Sequence, residues 1–201
     1  MRNVAGDVLD VIVEPRYDTA TIPAAGSLIL TYFTVPIGQG ASAFGAAGTA
    51  KQLADTNMDL SAQLPAGYNF NILGFRIQPA FTLTAADARL WSVGGVFTFN
   101  IGSKPYLRAP LDTIPAGMGP AGYAGGGDLG LALRGASHGT PTLSNGFSIA
   151  RKSLELFQTQ NFNATLTWVA LSPVTSVVPT QPAAGLPVRV YLDGFLKRYV
   201  Q

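Results

Sequence analysis

Apolar residues recur at every second position in several stretches of the chain. This is the spacing of side chains along one face of a β-strand. In the run from Val188 to Leu196, every second residue is apolar or glycine. Alternation of this kind predicts strands with one buried and one exposed face. The predicted strands are Val8–Val13, Ser27–Val35, Tyr68–Ile77, Gly94–Ile101, Pro105–Leu111, Leu129–Leu133, Ser153–Phe157, Phe162–Leu171 and Pro187–Val200.

Two of these strands carry irregular patterns. In Tyr68–Leu73, Asn first alternates with apolar residues, and apolar residues then occupy both sides. This pattern indicates a strand that leaves solvent and enters the core. Asp193-Gly194 could form a two-residue hairpin turn. Because the alternating face runs unbroken through it, we instead predict one long closing strand, in which Gly194 marks a bulge or a close backbone approach.

The segments that connect the predicted strands are rich in Pro and Gly. At four corners, Gly follows Pro by two or three residues, and at Gly26, Gly67 and Gly185 a predicted strand begins almost at once. Pro presets φ for the first turn residue, and Gly accepts the φ that the exit needs. Only Thr84–Trp91 has a helical pattern, with Thr84 as its N-cap, and it spans barely two turns.

The chain carries few charges. Charged residues make up 12% of it, about half of the usual share. Hydrophobic residues make up 47%, enough for a large core. A fully exposed surface with so few charges is poorly hydrated. We therefore predict that copies of the chain cover part of this surface. Two long stretches without a regular pattern, Pro36–Leu53 and Ala116–Gly146, are interpreted as arms that lie on neighbouring subunits.

Two glycine-rich motifs match catalytic or cofactor patterns by sequence alone. Gly135–Gly139 fits the nucleophile elbow around Ser137, but the only histidine, His138, is adjacent to the serine and cannot be its distant base. Gly125–Gly130 fits a dinucleotide loop, but Asp128 would repel a pyrophosphate. We interpret both as loops.

Paired carboxylates also fail as catalytic groups. Asp10 and Glu14, or Asp55 and Asp59, would lie roughly 13 Å apart on a strand. This exceeds the separation of about 5–9.5 Å that glycosidases use. They are interpreted as solvated or capping carboxylates. The chain has no cysteine and one histidine, so we predict no catalytic, cofactor-binding or metal-binding residue and no enzymatic activity; a calcium ion held by loop carbonyls stays open.

Other features have structural interpretations. The sequon at Asn163 lies within a predicted strand and is interpreted as incidental. Trp91 and Trp168 could form a stacking platform for sugars or bases, but their alternating apolar surroundings favour core packing.

Charge and terminal sequence bear on partners and location. The densest basic sites, Arg151-Lys152 and Lys197-Arg198, hold two charges each. We therefore predict little or no direct contact with nucleic acid. Asp7 and Asp10 stand where a signal peptide needs an apolar run, and no apolar stretch reaches the length of a membrane span. The protein is expected to be made soluble and to stay in the cell until released.

Residues 55–67, the predicted strand that follows them and residues 190–198 resemble capsid proteins of tailless bacteriophages, including membrane-containing ones. The resemblance covers most of the chain as a texture of short strands, Pro–Gly corners, few charges and no cysteine. It implies a jelly roll of two four-stranded sheets that tiles an icosahedral shell, often over an internal membrane. Two departures are notable: many such proteins carry two jelly rolls, and the basic arm of small RNA-virus shells is missing here.

We therefore expect residues 1–201 to form a single all-β domain, an antiparallel β-sandwich of the jelly-roll type with long Gly/Ala/Pro-rich loops. The expected function is that of a structural virion protein, a self-assembling icosahedral capsid subunit and more specifically the major capsid protein. It would assemble in the host cytoplasm and reside in the virion. Expected partners are copies of itself and other virion proteins, with an internal viral membrane left open. The alternatives are a spike, vertex or tail/fibre protein, a carbohydrate-binding β-sandwich and, last, a hydrolase.

Overall fold

The computed structural model describes residues 9–23, 27, 29–79, 94–114, 123–126, 133–136, 147–149, 153–168 and 186–199. This part of the chain is all-β, as predicted. In chain order the strands are β1 (Leu9–Val13), β2 (Arg16–Ile22), β3 (Ile29–Tyr32), β4 (Tyr68–Pro79), β5 (Gly95–Ile101), β6 (Lys104–Pro110), β7 (Tyr123–Gly126), β8 (Leu133–Ala136), β9 (Phe147–Ser148), β10 (Leu154–Leu156), β11 (Phe162–Trp168) and β12 (Leu186–Tyr199).

The strands form two large antiparallel sheets. In sheet 1, the long strands β12 and β4 lie side by side at the centre. β2 and β1 pair with successive parts of β12 along one edge, while β9 and β10 pair with successive parts of β4 along the other. Sheet 2 has the order β3-β11-β5-β6. β7 and β8 form a separate two-stranded ribbon.

The order of pairing is regular when two interrupted strands are each counted as one. One of them consists of β1 and β2, and the other consists of β9 and β10. The first strand then pairs with the last, the second (β3) with the second-last (β11), the third (β4) with β9/β10, and β5 with β6. A long hairpin whose two arms fold over together gives this pairing. Most connections between strands of the two large sheets therefore cross from one sheet to the other, and within these two sheets only β5 and β6 are consecutive strands that pair with each other.

The two sheets share one core. The Phe75 ring of sheet 1 lies 5.5 Å from the Phe97 ring and 5.1 Å from the Phe99 ring of sheet 2. Buried and half-buried residues alternate without exception along β5 and β11, as a strand with one face in a core requires. Burial of each such ring stabilises the fold by about 1.5–3 kcal/mol. The apolar core between the sheets thus makes the fold a β-sandwich.

β12 runs unbroken from Leu186 to Tyr199, which confirms the prediction of one long closing strand. The register with β4 shifts between Asp193 and Gly194, so the predicted bulge is also confirmed. A Cβ on Gly194 would lie 1.8 Å from the backbone oxygen of Asn71. The close backbone approach therefore requires glycine at this position.

The bulge explains the irregular pattern in β4 and corrects its interpretation. Asp193 pairs with Gly74 and Gly194 with Ile72, so Leu73 is the extra residue and is 41% exposed. Inward side chains therefore change phase, from Ile72 before the bulge to Phe75 after it. The apolar run marks this change of phase and not a strand that enters the core.

Strand β2 was not predicted. Its inward positions Arg16 and Asp18 are charged, and this hides the alternation. The predicted strand Ser27–Val35 is also too long, because β3 ends at Tyr32. The next residue, Phe33, has a φ of +67°, and this left-handed conformation ends a strand.

The predicted loops and corners have mixed outcomes. β7 and β8 lie within Ala116–Gly146, so that stretch is not without regular structure as predicted, and β8 begins at Leu133 where a strand was expected to end. Gly67 has a φ of +82° directly before β4, which confirms that corner. Gly26, Gly185 and the predicted helix Thr84–Trp91 lie outside the described residues.

Candidate interaction surfaces

The long connection from β3 to β4, residues 33–67, is here called the β3–β4 loop. It contains no regular strand or helix, yet polar side chains attach it to β2. Asp18 of β2 is its main attachment point. One carboxylate oxygen accepts a hydrogen bond from the backbone N–H of Phe33 (2.7 Å), and the other lies 2.6 Å from the Lys51 ammonium. One buried carboxylate thus holds both the start and the middle of the loop.

This ion pair lies in a desolvated environment. The side chain of Asp18 is 1% exposed and that of Lys51 is 8% exposed. Burial raises the pKa of the Asp18 carboxyl, although the Lys51 charge and hydrogen bonds to the carboxylate oppose the rise. The hydroxyl of Tyr32 is buried nearby, and burial together with the Asp18 charge raises its pKa well above the ordinary value. The pair is therefore a structural attachment whose strength depends on both partners.

Asp55 organises the loop from within. Its carboxylate accepts hydrogen bonds from the Ser42 hydroxyl (2.8 Å) and from the backbone N–H groups of Ala43 (2.7 Å) and Gln52 (2.9 Å). Burial opposes ionisation, but these hydrogen bonds outweigh it and lower the pKa of Asp55. The predicted capping role applies to Asp55, whereas solvation applies only to the exposed Asp59.

The edge of β2 is covered by the same loop. The backbone N–H of Tyr17 donates to the Asn57 side chain (2.9 Å), whose amide group donates to the carbonyl of Pro15 (2.8 Å). Arg16 donates to the carbonyl of Asn57 (2.8 Å). Side-chain and backbone groups of the loop thus occupy hydrogen-bonding positions that an open sheet edge would offer to another chain.

The polarity of the β3–β4 loop is reversed relative to an ordinary surface loop. Lys51, the only charged residue between Pro36 and Leu53, is buried, as is Asp55. Apart from Asp59, the exposed side of the loop carries large apolar side chains. These are Ile37 (40% exposed), Phe44 (54%), Leu53 (63%) and Leu60 (44%).

Sheet 1 has a charged outer face whose charges are matched within the chain. Arg76 makes two hydrogen bonds to the Asp193 carboxylate, at 2.5 and 2.7 Å, and its guanidinium lies 4.2 Å from the Tyr191 ring centroid. Arg189 lies 5.3 Å from the Tyr17 ring and 5.0 Å from the Phe44 ring. Phe44 thereby places the β3–β4 loop against this face.

The basic pair Lys197-Arg198 is also matched by acids. The Lys197 ammonium lies 3.3 Å from Glu155, and the Arg198 guanidinium lies 2.9 Å from Asp10. These cations therefore already have carboxylate partners. The other basic pair, Arg151-Lys152, lies outside the described residues.

Sheet 2 has an almost uncharged outer face. Threonines at Thr31, Thr165 and Thr98 stand side by side across β3, β11 and β5, and Arg108 of β6 completes the row. The outward positions of β3, β11 and β5 carry no charged residue, whereas the edge strand β6 exposes Arg108 and, at its start, Lys104. A second row on this face consists of Ile29, Thr167, Val96 and Pro110.

The remaining predicted motifs are placed as follows. Ser137 and His138 lie outside the described residues, and of the dinucleotide-like motif only Gly125 and Gly126 are described, within β7. Trp168 is buried in β11, as predicted, and Trp91 lies outside the described part. The side chain of Asn163 accepts a hydrogen bond from Asn100 (2.9 Å) on the outer face of sheet 2.

Asp10 and Glu14, the first pair of carboxylates weighed in the sequence, have separate partners in the structure. Asp10 pairs with Arg198, and Glu14 accepts a hydrogen bond from the amide of Asn57 (3.1 Å). Within the described ranges, no group of three or more His, Asp or Glu side chains could hold a metal ion. No helix among the same residues is long and apolar enough to cross a bilayer.

Comparison with known proteins finds no match, either to a protein-family model, to a curated protein or to a solved structure. The fold and the surfaces of this chain are therefore the basis for its functional assignment.

Proposed function

We propose that this protein is a structural virion protein, a self-assembling subunit of an icosahedral capsid with the jelly-roll topology. The observation that carries the proposal is the nested pairing of strands, first with last and so on inward, across two packed sheets. A jelly roll is such a double-sheet arrangement of eight strands, and viral capsid domains are among the proteins that use it.

A fold alone does not specify function, so the surfaces matter as much. Lectin domains also use jelly rolls, but a free lectin has no need for a surface poor in charge. Here charged residues make up 12% of the chain, and the described acids and bases of sheet 1 largely neutralise one another. The outer face of sheet 2 inside its edge strand β6, and the stretch Pro36–Leu53 of the β3–β4 loop, expose uncharged groups. A surface of this composition is better suited to contact with another protein surface than to exposure to solvent.

In the proposed shell, each subunit buries these surfaces against neighbouring copies. Stable interfaces bury roughly 1,200–2,000 Å², and closed symmetry multiplies contacts of this size over many copies. Direct binding to nucleic acid contributes little, because Lys197 and Arg198 already pair with carboxylates. The major capsid protein is the proposed role, with other virion proteins as further partners and the virion as the location.

Sedimentation velocity and negative-stain electron microscopy of the purified chain test this function. We expect defined capsomers or large closed particles whose proportion rises with protein concentration and with salt, since salt does not weaken apolar contacts. A monomer at the highest attainable concentration would contradict the proposal. A monomer that also binds defined sugars on a glycan array would favour the carbohydrate-binding alternative.

A further inference from the structure

We infer that the exposed apolar side of the β3–β4 loop docks onto the outer face of sheet 2 in a second copy of the chain. The inference rests on the proposed function of self-assembly and specifies which two surfaces meet. The docking side of the loop includes Leu53 and Phe44. The receiving face includes the threonine row formed by Thr31, Thr98 and Thr165.

Contacts within the chain attach the loop to sheet 1 without any partner. Asp18 and Lys51 attach it to β2, while Asp55 ties its residues to one another. The carbonyl of Leu53 accepts a hydrogen bond from the Tyr17 hydroxyl (2.5 Å), and the carbonyl of Ala54 accepts one from Arg189. A segment fixed in this way loses little conformational entropy when it binds, so modest apolar contacts suffice for affinity.

The composition of the loop favours an uncharged receiving surface. Single exposed apolar side chains are ordinary on any protein, but here they occur on a loop whose only charge in Pro36–Leu53 is turned inward. Docked onto a charged surface, such a loop would desolvate those charges without pairing them. Partners that rely on charge, such as nucleic acid or an anionic membrane surface, are therefore poorly matched.

Of the two outer faces of the sandwich, only that of sheet 2 fits. The face of sheet 1 carries Arg76, Asp193 and Arg189, and Phe44 already lies against it. Across β3, β11 and β5, the face of sheet 2 presents uncharged side chains in rows with a strand spacing of about 4.8 Å, and the charges of Arg108 and Lys104 lie at the β6 edge. Its hydroxyl groups can also bond to backbone groups of a glycine-rich loop.

The positions of the two surfaces require a second copy. Leu53 and Phe44 lie beside the outer face of sheet 1, because Tyr17 and Arg189 point outward there. The receiving face lies on the other side of the core. The loop of one chain therefore cannot dock onto the receiving face of the same chain. Each copy would donate a loop to one neighbour and receive a loop from another. Such heterologous contacts generate rings or extended arrays.

Disulfide trapping tests the contact directly, because the chain has no cysteine of its own. Leu53→Cys and Thr98→Cys are prepared separately, mixed and oxidised. We expect a disulfide-linked dimer on a non-reducing gel that contains one chain of each variant. The matched control replaces Thr98→Cys with Ser148→Cys, an exposed position on the edge of sheet 1. Crosslinking no stronger than in this control would overturn the inference.

Charge substitution provides a second, independent readout. Thr98→Glu should leave the melting temperature of the subunit nearly unchanged but shift its sedimentation from assemblies to monomers. Leu53→Lys should do the same, and a mixture of the two variants should recover assembly because the new charges attract each other. Normal assembly of Thr98→Glu while the wild type assembles would refute this contact yet leave the capsid function intact. A wild-type chain that never assembles would instead refute the function itself.

Discussion

The two outer faces of the sandwich differ in how their surface groups are satisfied. On sheet 1, Arg76 pairs with Asp193, and Arg189 lies among the rings of Tyr17, Tyr191 and Phe44. On sheet 2, threonines and β-branched residues form rows with a single charge, Arg108. Both faces arise from the same alternation of period two. The charged groups of sheet 1 thus have partners within their own chain, whereas β3, β11 and β5 of sheet 2 present uncharged side chains outward.

The largest effect is expected at the attachment of the β3–β4 loop to sheet 1. Lys51→Met should lower the free energy of unfolding by about 3–5 kcal/mol at neutral pH, because it leaves the Asp18 carboxylate buried without its cation. Urea denaturation measures the loss. An effect below about 1 kcal/mol, typical of exposed ion pairs, would show that the pair does not attach the loop as described.

The same variant has a characteristic pH dependence. The pKa of Asp18 is already raised by burial and should rise further without Lys51. A carboxyl with a raised pKa binds its proton more readily in the folded state. Stability is therefore greatest below the ordinary pKa and falls as pH rises through the folded value. Lys51→Met should regain stability on acidification, and adding Asp18→Asn should remove that gain.

A smaller loss is expected at the centre of sheet 1. Gly194→Ala places a methyl group against the backbone of β4 and should cost about 1–3 kcal/mol through overpacking. The control is Gly102→Ala in the β5–β6 turn of sheet 2, where φ is +60° but no atom lies within 4 Å of an added Cβ. Thermal unfolding should give the larger loss for Gly194→Ala, and equal losses would mean that the close approach is not tight.

Asp55→Asn weakens the internal hydrogen bonds of the loop. We expect a loss of about 1–2 kcal/mol at neutral pH, since bonds to a charged acceptor exceed those to a neutral one. The lowered pKa of Asp55 means that its contribution is present above the ordinary value of 3.8 and is lost as pH falls through the folded pKa. Acid titration of stability should therefore be shallower for Asp55→Asn, and identical acid profiles would contradict this assignment.

The smallest effects compare the two outer faces directly. Arg76→Met removes a two-bond ion pair and a cation–ring contact, and should cost about 1 kcal/mol. Thr98→Val on sheet 2 keeps the shape of the side chain and should change subunit stability by less than about 0.5 kcal/mol. Both are measured by urea denaturation under conditions that keep the chain monomeric. If Thr98→Val lowered the free energy of unfolding as much as Arg76→Met, the two outer faces would not differ in how much their surface groups contribute to subunit stability.

Local features of the sequence anticipated much of the strand content. The predicted strands Gly94–Ile101, Pro105–Leu111 and Ser153–Phe157 correspond within about two residues to β5, β6 and β10. These strands have short connections or strict alternation, so their signal depends on neighbouring residues alone. β2 escaped prediction because Arg16 and Asp18 take inward positions, where partners more than thirty residues away in sequence satisfy them.

The surface properties, like the strands, were predicted from the sequence only in part. Composition predicted a chain with too few charges for its surface, and the glycine-rich stretch Pro36–Leu53 was predicted to be an arm lying on a neighbouring subunit, whereas in the structure it is attached to β2 of its own chain. That this segment lies on its own sheet 1 and presents Phe44 and Leu53 outward depends on Asp18, Lys51 and Asp55. No spacing in the sequence connects these residues, so the reversed polarity of the loop could not be anticipated.

Local patterns in the sequence identified most of the long strands and the continuity of β12 through Gly194, but not β2 and not the change of phase in β4. These properties follow from alternation and backbone sterics, which act between residues close in the chain. Which strands pair, how the two sheets enclose one core and which charges are buried became known from the folded structure alone. Such pairings join residues far apart in sequence, and packing and desolvation select among them only once the chain has folded.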